Sequence, residues 1–209
     1  MIEVKQFLWK ITLLSFLICS LGAAGVSFGL IKANTESGTK CRLFITDSQA
    51  RNRSLLNYNV STCQLSLASI IIATMCLALL TFIELVKVVS RRTEPLALPV
   101  RIGQILYLIV AIVSLFITTF VVSAGWAKTC ETYSNLKEES DFTISSFSCT
   151  GYQYGGQGLP HGGELITSAT FSGIGILLVL ISMLTFVLQQ YREIVHANYQ
   201  YQEINEESL

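Results

Sequence analysis

Four long apolar runs divide this chain and limit its possible folds more than any other feature. They lie at about residues 11–31, 65–86, 102–125 and 165–188. Each has roughly the 20 residues that an α-helix needs to cross a hydrocarbon core about 30 Å thick. Since a lone segment in lipid must satisfy its backbone hydrogen bonds internally, each run is predicted to be a transmembrane helix. The predicted fold is an all-α membrane protein, a single tetraspan domain over residues 1–209 arranged as a four-transmembrane-helix bundle, with residues 189–209 as a tail.

The composition agrees with this class. Hydrophobic residues make up 51% of the 209 residues and charged residues 13%, whereas soluble domains carry about 25% charge. Fourteen Lys and Arg balance fourteen Asp and Glu without a basic block, which argues against nucleic-acid binding. A cleaved signal peptide is the competing interpretation of the first run. We expect the run to be retained, because its apolar character continues to Ile31, beyond the usual core of about 7–15 residues.

The cysteines outside the runs lie only in the first and third connectors. Cys41 and Cys63 are in the first, and Cys130 and Cys149 are in the third. Disulfides form on the oxidising side of a membrane, so the pattern predicts two disulfide-bearing lumenal or extracellular loops. Four cysteines allow three pairings. We favour the two local pairs, and cross-loop pairing remains open.

Glycosylation signals favour the same orientation. Asn52-Arg53-Ser54 and Asn59-Val60-Ser61 are acceptor sequons in the first connector. Lys and Arg divide evenly between the two predicted sides, although the short connector over residues 87–101 holds four cations against Glu94 and favours a cytoplasmic position. We therefore predict a glycoprotein of the secretory pathway or plasma membrane with both termini in the cytoplasm. Asn52 is the expected main acceptor, because Asn59 lies very close to the second run.

Pairs of small residues predict close helix packing. Gly25 and Gly29 form such a pair in the first run, and Ala169 and Gly173 form another in the fourth. Small residues four apart let helix backbones approach each other in lipid. Contact inside the bundle is the expected use. A lipid-facing patch that binds another membrane protein is the alternative.

No catalytic constellation is visible. Glu84 is the one ionisable residue well inside a run, and its spacing to Lys87 predicts an ion pair. His161 and His196 fall on opposite sides of the predicted membrane and cannot share a metal. We therefore expect no enzymatic activity, cofactor or metal site. The alternative function is a small ion channel or channel-forming oligomer, with Ser114, Thr118 and Ser123 lining a pore.

Two further segments could bind partners. Tyr201-Gln202-Glu203-Ile204 in the tail has the tyrosine-x-x-apolar form that clathrin adaptors bind as an extended peptide, and it is a possible sorting signal. The third connector carries a glycine-rich run over residues 151–158, where we expect a mobile or tightly folded loop, with a recognition surface as the alternative.

Several short motifs resemble one family. Gly38-Thr39-Lys40-Cys41-Arg42-Leu43-Phe44 resembles the glycine-x-cysteine-x-leucine-aromatic segment of the transmembrane protein 179 family, with one extra residue before the cysteine. Similar motifs are Cys63-Gln64-Leu65-Ser66, Trp126 with Cys130, and Ser148-Cys149. The chain departs from that family in its glycine-rich stretch and short tail. The resemblance implies a four-span membrane protein and brings no established activity.

These features together predict a non-enzymatic accessory, interaction or trafficking component of a membrane complex. Its expected partners are the lipid bilayer, another membrane protein or a second copy of the chain, and a clathrin adaptor.

Overall fold

Four long helices dominate the structure. The computed structural model describes residues 2–36, 40–41, 43, 46–50, 53–57, 60–90, 98–139, 149 and 162–207. Within these residues lie α1 (Ile2–Ala33), α2 (Val60–Val89), α3 (Leu98–Glu139) and α4 (Gly162–Glu207). Each contains a segment long and apolar enough to cross a membrane, and each predicted run lies inside one helix. The prediction of four helices that are long and apolar enough to span a membrane is confirmed.

The helices pack as a closed ring. Each packs against its neighbour in the chain, and α4 returns to pack against α1. Neighbours are antiparallel: Gln104 near the start of α3 contacts Lys87 near the end of α2, and Ser168 near the start of α4 contacts Ser27 near the end of α1. The result is an up-down-up-down bundle, in which each helix lies beside the next one in the chain.

The bundle interior is filled with side chains from all four helices. The most deeply buried apolar side chains include Leu17 of α1, Leu77 of α2, Leu115 of α3 and Val179 of α4. The outer surface is equally apolar, with Met75, Phe82, Phe116, Phe120 and Leu177 more than 60% exposed. An exterior this apolar would be a liability in water and suits a surface that faces lipid.

Hydroxyl groups, unlike charges, are common inside the bundle. Many donate to the carbonyl one turn earlier on the same helix, as Thr118 Oγ1 does to Ser114 O at 2.9 Å and Ser182 Oγ does to Leu178 O at 2.8 Å. Such bonds satisfy a buried polar group locally. The fully buried hydroxyl residues are Ser20, Ser27, Ser66, Thr118, Thr129, Ser168, Ser172 and Ser182.

Two helices are much longer than a bilayer is thick. α3 has 42 residues and α4 has 46, and at 1.5 Å per residue these correspond to about 63 and 69 Å. The C-terminal part of α3 extends past the end of the bundle at which α4 begins. The C-terminal part of α4 extends past the end at which α1 begins. Cys130 is therefore on a helix, and the tail continues as helix to Glu207.

The first connector contains two short antiparallel hairpins. β1 (Thr35–Glu36) pairs with β2 (Lys40–Cys41), and β3 (Thr46–Ala50) pairs with β4 (Arg53–Asn57). β1 packs against α1, β2 against α2 and β3 against α3. Leu43, between the hairpins, is 2% exposed and joins the core cluster. The first connector is thus held against the end of the bundle at which α4 begins.

Adjacent residues on α3 allow a test of which face is interior. Leu115 is fully buried, whereas Phe116 is 61% exposed. We expect Leu115→Ala to lower the free energy of unfolding in detergent by about 1–3 kcal/mol, less than in soluble cores, because in lipid mainly the lost packing counts. Phe116→Ala removes more atoms yet should change it by less than about 0.5 kcal/mol. A larger effect of Phe116→Ala in thermal or SDS unfolding would contradict the arrangement.

Candidate functional site

The seam between α1 and α4 is held by a cluster of three buried serines. Ser27 of α1 lies between Ser168 and Ser172 of α4, and all three side chains are fully buried. The Ser27 Oγ is 2.9 Å from Ser168 Oγ and 2.7 Å from Ser172 Oγ. Serine is small enough for the two backbones to come close, so the hydroxyls of one helix reach those of the other.

Every donor in this serine cluster can be satisfied at once. Ser168 Oγ donates to the Ser27 carbonyl at 3.2 Å. Ser27 can then donate to Ser168 Oγ, and Ser172 can donate to Ser27 Oγ, at the distances already given. No hydroxyl proton of these three serines is left without an acceptor. The cluster is therefore a complete network, which is the condition under which buried polar groups stabilise.

The same seam has a polar contact at each end. Asn34, just after α1 and 3% exposed, donates from Nδ2 to Glu164 Oε2 of α4 at 2.7 Å and to Leu30 O at 3.0 Å. Glu164 lies in the first turn of α4, where a helix dipole favours negative charge. At the opposite end the Arg192 guanidinium lies 4.8 Å from the Trp9 ring centroid, a cation–π distance. Three contacts along the seam thus set the register of α1 on α4.

A second polar cluster joins α2 to α3. Glu84 is 4% exposed and Gln104 is 2% exposed. Glu84 Oε1 accepts from Lys87 Nζ at 2.5 Å and from Gln104 Nε2 at 2.9 Å, and Lys87 also donates to Gln104 Oε1 at 3.2 Å. The predicted Glu84–Lys87 pair is confirmed. Gln104 extends the pair across the helix interface, so the contact is buried and tertiary.

This cluster borders a very small cavity of about 10 Å³, close to the minimum for one water molecule. Apart from Glu84 and Gln104, the cavity is lined by apolar side chains of all four helices: Leu13, Leu17, Leu80, Leu108 and Phe186. The surroundings are thus dry and tightly packed. A carboxylate in such a place needs its partners, and Lys87 and Gln104 supply them.

At the other end, a disulfide and a tryptophan hold the third connector on the bundle. Cys130 of α3 is bonded to Cys149, with 5.7 Å between their Cα atoms. Trp126, one turn before Cys130, donates from Nε1 to the Cys149 carbonyl at 3.1 Å. A Cβ on Gly162 would overlap the Trp126 ring and lie 2.8 Å from that carbonyl. Glycine is thus required where α4 begins.

Only some of the predicted disulfide and glycosylation sites lie within the described residues. The Cys130–Cys149 bond is the local pairing favoured from the sequence. Cys63 is also disulfide-bonded, but the Cys41 side chain lies outside the described residues, and its pairing stays a prediction. Asn52, Asn59 and the glycine-rich run over residues 151–158 lie outside them as well.

The small-residue pairs do not have the expected role. Gly25 and Gly29 are exposed, and a Cβ on either would meet nothing within 4 Å. The expectation that they pack against another helix of the bundle is therefore corrected, because the bundle contacts lie on the opposite face of α1. Gly173 also has open space at its Cβ position. Ala169 is partly buried and packs against the core cluster.

The residues proposed to line a pore do not share a surface. Ser114 and Thr118 face the packed interior, at 7% and 0% exposure, whereas Ser123 is exposed on the outside. The segment predicted as a possible sorting signal is on a helix: the backbone of Tyr201 and Ile204 belongs to α4. An adaptor that requires an extended peptide would have to unwind the end of α4 before binding.

Sequence analysis missed the serine cluster and Gln104. Serines occur throughout the apolar runs, and nothing in their spacing distinguishes Ser27, Ser168 and Ser172 from hydroxyls that bond within their own helix. Gln104 does carry a signal: it is an amide two residues inside the third run, where a polar side chain is costly unless it has a partner.

Comparison of the chain with protein-family models, curated proteins and solved structures finds no match. The four helices nevertheless define its class, a multi-pass helical membrane protein. The Cys130–Cys149 disulfide lies at the end of the bundle where α4 begins.

The serine cluster can be tested by mutation. We expect Ser27→Ala to lower the free energy of unfolding by about 0.5–1.5 kcal/mol, because it removes the acceptor of the Ser172 hydroxyl and the donor to Ser168 Oγ. Ser15→Ala is the control, since Ser15 is exposed and bonds only to Ile11 O of its own helix. A double-mutant cycle with Ser172→Ala should show coupling between Ser27 and Ser172. Additive effects would mean that the cluster does not hold the seam.

Proposed function

We propose that this protein is a non-enzymatic accessory component of a membrane complex and that it binds another transmembrane helix through the outer face of α1. The observation that carries the proposal is an open row of glycines on that face. The resemblance to the transmembrane protein 179 family agrees with a four-span membrane protein, and it adds no activity.

The glycine row consists of Gly22, Gly25 and Gly29. Their spacing of three and four residues puts them on one side of α1. All three are exposed, and a Cβ on any of them would meet nothing within 4 Å. Glycine inside a helix costs up to about 1 kcal/mol relative to alanine in water. The bundle itself gains no packing from these three residues.

A helix from outside the chain would use such a row. Without a hydrophobic force between helices in lipid, association depends on close packing, and small residues allow it. Ile18 and Val26, 52% and 44% exposed, lie beside the row and offer side chains to the same partner. A partner helix could approach the α1 backbone between them. The partner is a different membrane protein or a second copy of this chain.

The charges near the membrane support the proposed orientation. At the end where α1 begins, the described ionisable side chains are Lys10, Glu84, Lys87, Arg101 and Arg192. At the other end they are Lys32, Lys128, Glu131 and Glu164. The first end carries four cations and one carboxylate, and the second carries two of each. Because cations next to spans favour the cytoplasm, both termini are assigned to that side, in a membrane of the secretory pathway or the cell surface.

We expect the partner contact to be lost when the glycine row is filled. Gly25→Leu and Gly29→Leu together should reduce a co-purifying membrane protein, or a differently tagged second copy, on the order of tenfold, since the backbones could no longer approach. Affinity purification in mild detergent with mass spectrometry measures this. Gly103→Leu on α3 is the matched control, because its Cβ position is also open. Equal recovery from all variants would contradict the proposal.

Orientation has a separate test. A glycosidase should increase the mobility of the protein from cells, and Asn52→Gln should remove that shift, because only lumenal sequons are glycosylated. Asn57→Gln changes the same connector outside any sequon and should keep the shift. If the unmodified chain shows no shift and protease added outside sealed microsomes cleaves the first connector, the assigned side is wrong.

A further inference from the structure

A buried amide oxygen without a hydrogen-bond donor lies where α1 ends and α4 begins. Asn34 is 3% exposed, and its Nδ2 donates to Glu164 Oε2 at 2.7 Å and to Leu30 O at 3.0 Å. The Oδ1 of the same amide is also buried, and no described residue donates a hydrogen bond to it. Removal of an amide oxygen from water without a partner is unfavourable. This oxygen therefore favours a ligand that satisfies it.

The carboxylate beside this oxygen has no cationic partner. The structure describes the side chains of three carboxylates, and two of them form ion pairs, Glu84 with Lys87 and Glu131 with Lys128. The third, Glu164, is bonded within the described part of the chain only to the Asn34 amide. The helix dipole favours negative charge in the first turn of α4, where Glu164 lies, but it supplies no counter-ion. A cation would complete this pair of groups.

The unpaired oxygen lies close enough to the carboxylate for one ion to bind both. The oxygen and the nitrogen of an amide group are about 2.2 Å apart, so Asn34 Oδ1 is no more than about 5 Å from Glu164 Oε2. Two oxygens that bind one Ca²⁺ at the usual distances of about 2.3–2.6 Å can be up to about 5 Å apart. Rotation of the amide by half a turn would bring Oδ1 nearer still, to the place that Nδ2 occupies between Glu164 Oε2 and Leu30 O.

Water and ions can reach this place. One membrane-spanning segment ends at Ala33 and another begins at Gly162, so Asn34 and Glu164 lie at the boundary of the membrane. Glu164 is half-buried, and it opens the buried amide to solvent. The last carbonyls of α1 point to the same boundary, where the negative end of the helix dipole favours a cation.

We propose that Asn34 Oδ1, the Glu164 carboxylate and the Leu30 carbonyl bind a calcium ion, with water completing its coordination. All of these ligands are oxygens, which suit hard cations rather than Zn²⁺ or Cu²⁺. Ca²⁺ accepts carboxylate and carbonyl oxygens in irregular geometry, whereas Mg²⁺ requires a near-ideal octahedron and keeps most of its water. One carboxylate gives a weak site, with a Kd of roughly 0.1–1 mM, as in extracellular modules.

The choice of Ca²⁺ rests on the orientation proposed above, which puts this end of the bundle in the lumen or outside the cell, where Ca²⁺ is abundant enough to fill a weak site. The Cys130–Cys149 disulfide at the same end agrees, since disulfides persist on the oxidising side of a membrane. Binding by the purified protein depends neither on orientation nor on the glycine row. Failure of the calcium site and failure of the proposed function are therefore distinguishable.

The first test is unfolding of the purified full-length protein in detergent after a chelator has removed divalent cations. We expect CaCl₂ to raise the unfolding midpoint, with half of the rise at roughly 0.1–1 mM, because a ligand that binds only the folded state stabilises it. MgCl₂, and NaCl at the same ionic strength, should raise it much less. An equal rise with all three salts would indicate screening of charge, and no rise with CaCl₂ would mean that water satisfies Asn34 Oδ1. Either result overturns the proposal.

Glu164→Gln removes the charge and keeps an oxygen that can accept from Asn34 Nδ2. It should fold and bind Ca²⁺ on the order of tenfold or more weakly, because the carboxylate is the only charged ligand. Glu131→Gln is the matched control, since Glu131 is exposed at the same end of the bundle and pairs with Lys128. Its calcium response should stay unchanged. An unchanged response in Glu164→Gln would overturn the proposal.

Asn34→Asp separates calcium binding from a purely structural role of Asn34. Without Ca²⁺ the midpoint should fall, because two carboxylates repel each other and the donor to Leu30 O is lost. With Ca²⁺ the midpoint should recover, at a half-saturating concentration on the order of tenfold below that of the unmodified protein, because the site has gained a charged ligand. A fall that Ca²⁺ does not reverse would contradict calcium binding at this site.

Tb³⁺ provides a direct signal, since it replaces Ca²⁺ at oxygen sites and emits when a nearby indole absorbs light. Of the two tryptophans in the chain, Trp126 lies against Gly162, two residues before Glu164, and Trp9 lies at the other end of the bundle. We expect tryptophan excitation to produce Tb³⁺ emission that CaCl₂ removes by competition and that Glu164→Gln lacks. Full emission from Glu164→Gln would place the ion elsewhere and overturn the proposal.

Discussion

The contact between α1 and α4 is the interaction on which the rest of the bundle depends. The other three neighbouring pairs are joined by connectors, whereas α1 and α4 are far apart in sequence and close the ring only by direct contact. In lipid, burial of apolar side chains contributes little to closing the ring, because the surroundings are equally apolar. Specific polar contacts join α1 to α4 instead. They are the Ser27, Ser168 and Ser172 cluster in the buried seam, Asn34 with Glu164 at one end, and Arg192 over Trp9 at the other.

Each end of the bundle is also secured by a different kind of contact. Near the start of α1, Glu84 and Lys87 of α2 bind Gln104 of α3 beside a dry apolar layer. Near the start of α4, the Cys130–Cys149 disulfide and the Trp126 hydrogen bond hold the third connector over Gly162. A buried carboxylate needs its partners, and a disulfide holds the third connector to the bundle covalently.

The interaction proposed for this protein lies on its outer surface. The glycine row of α1 is exposed there, and a Cβ on any of its three residues would meet nothing within 4 Å. Such a row suits a helix backbone, because it has no side chains to move aside.

The sequence by itself determined the class, the number of spans and the pairing of Glu84 with Lys87, because a bilayer requires long apolar helices and pairing of buried charge. It also predicted the local Cys130–Cys149 bond. It could not determine which face of a helix turns inward. Gly25 and Gly29 satisfy a packing pattern and face outward, while the serines that close the ring carry no distinguishing spacing. Only the tertiary structure decided which face turns inward. A helix that is apolar on all sides has no polar face to mark its exterior. Its orientation follows instead from polar contacts with residues distant in the chain.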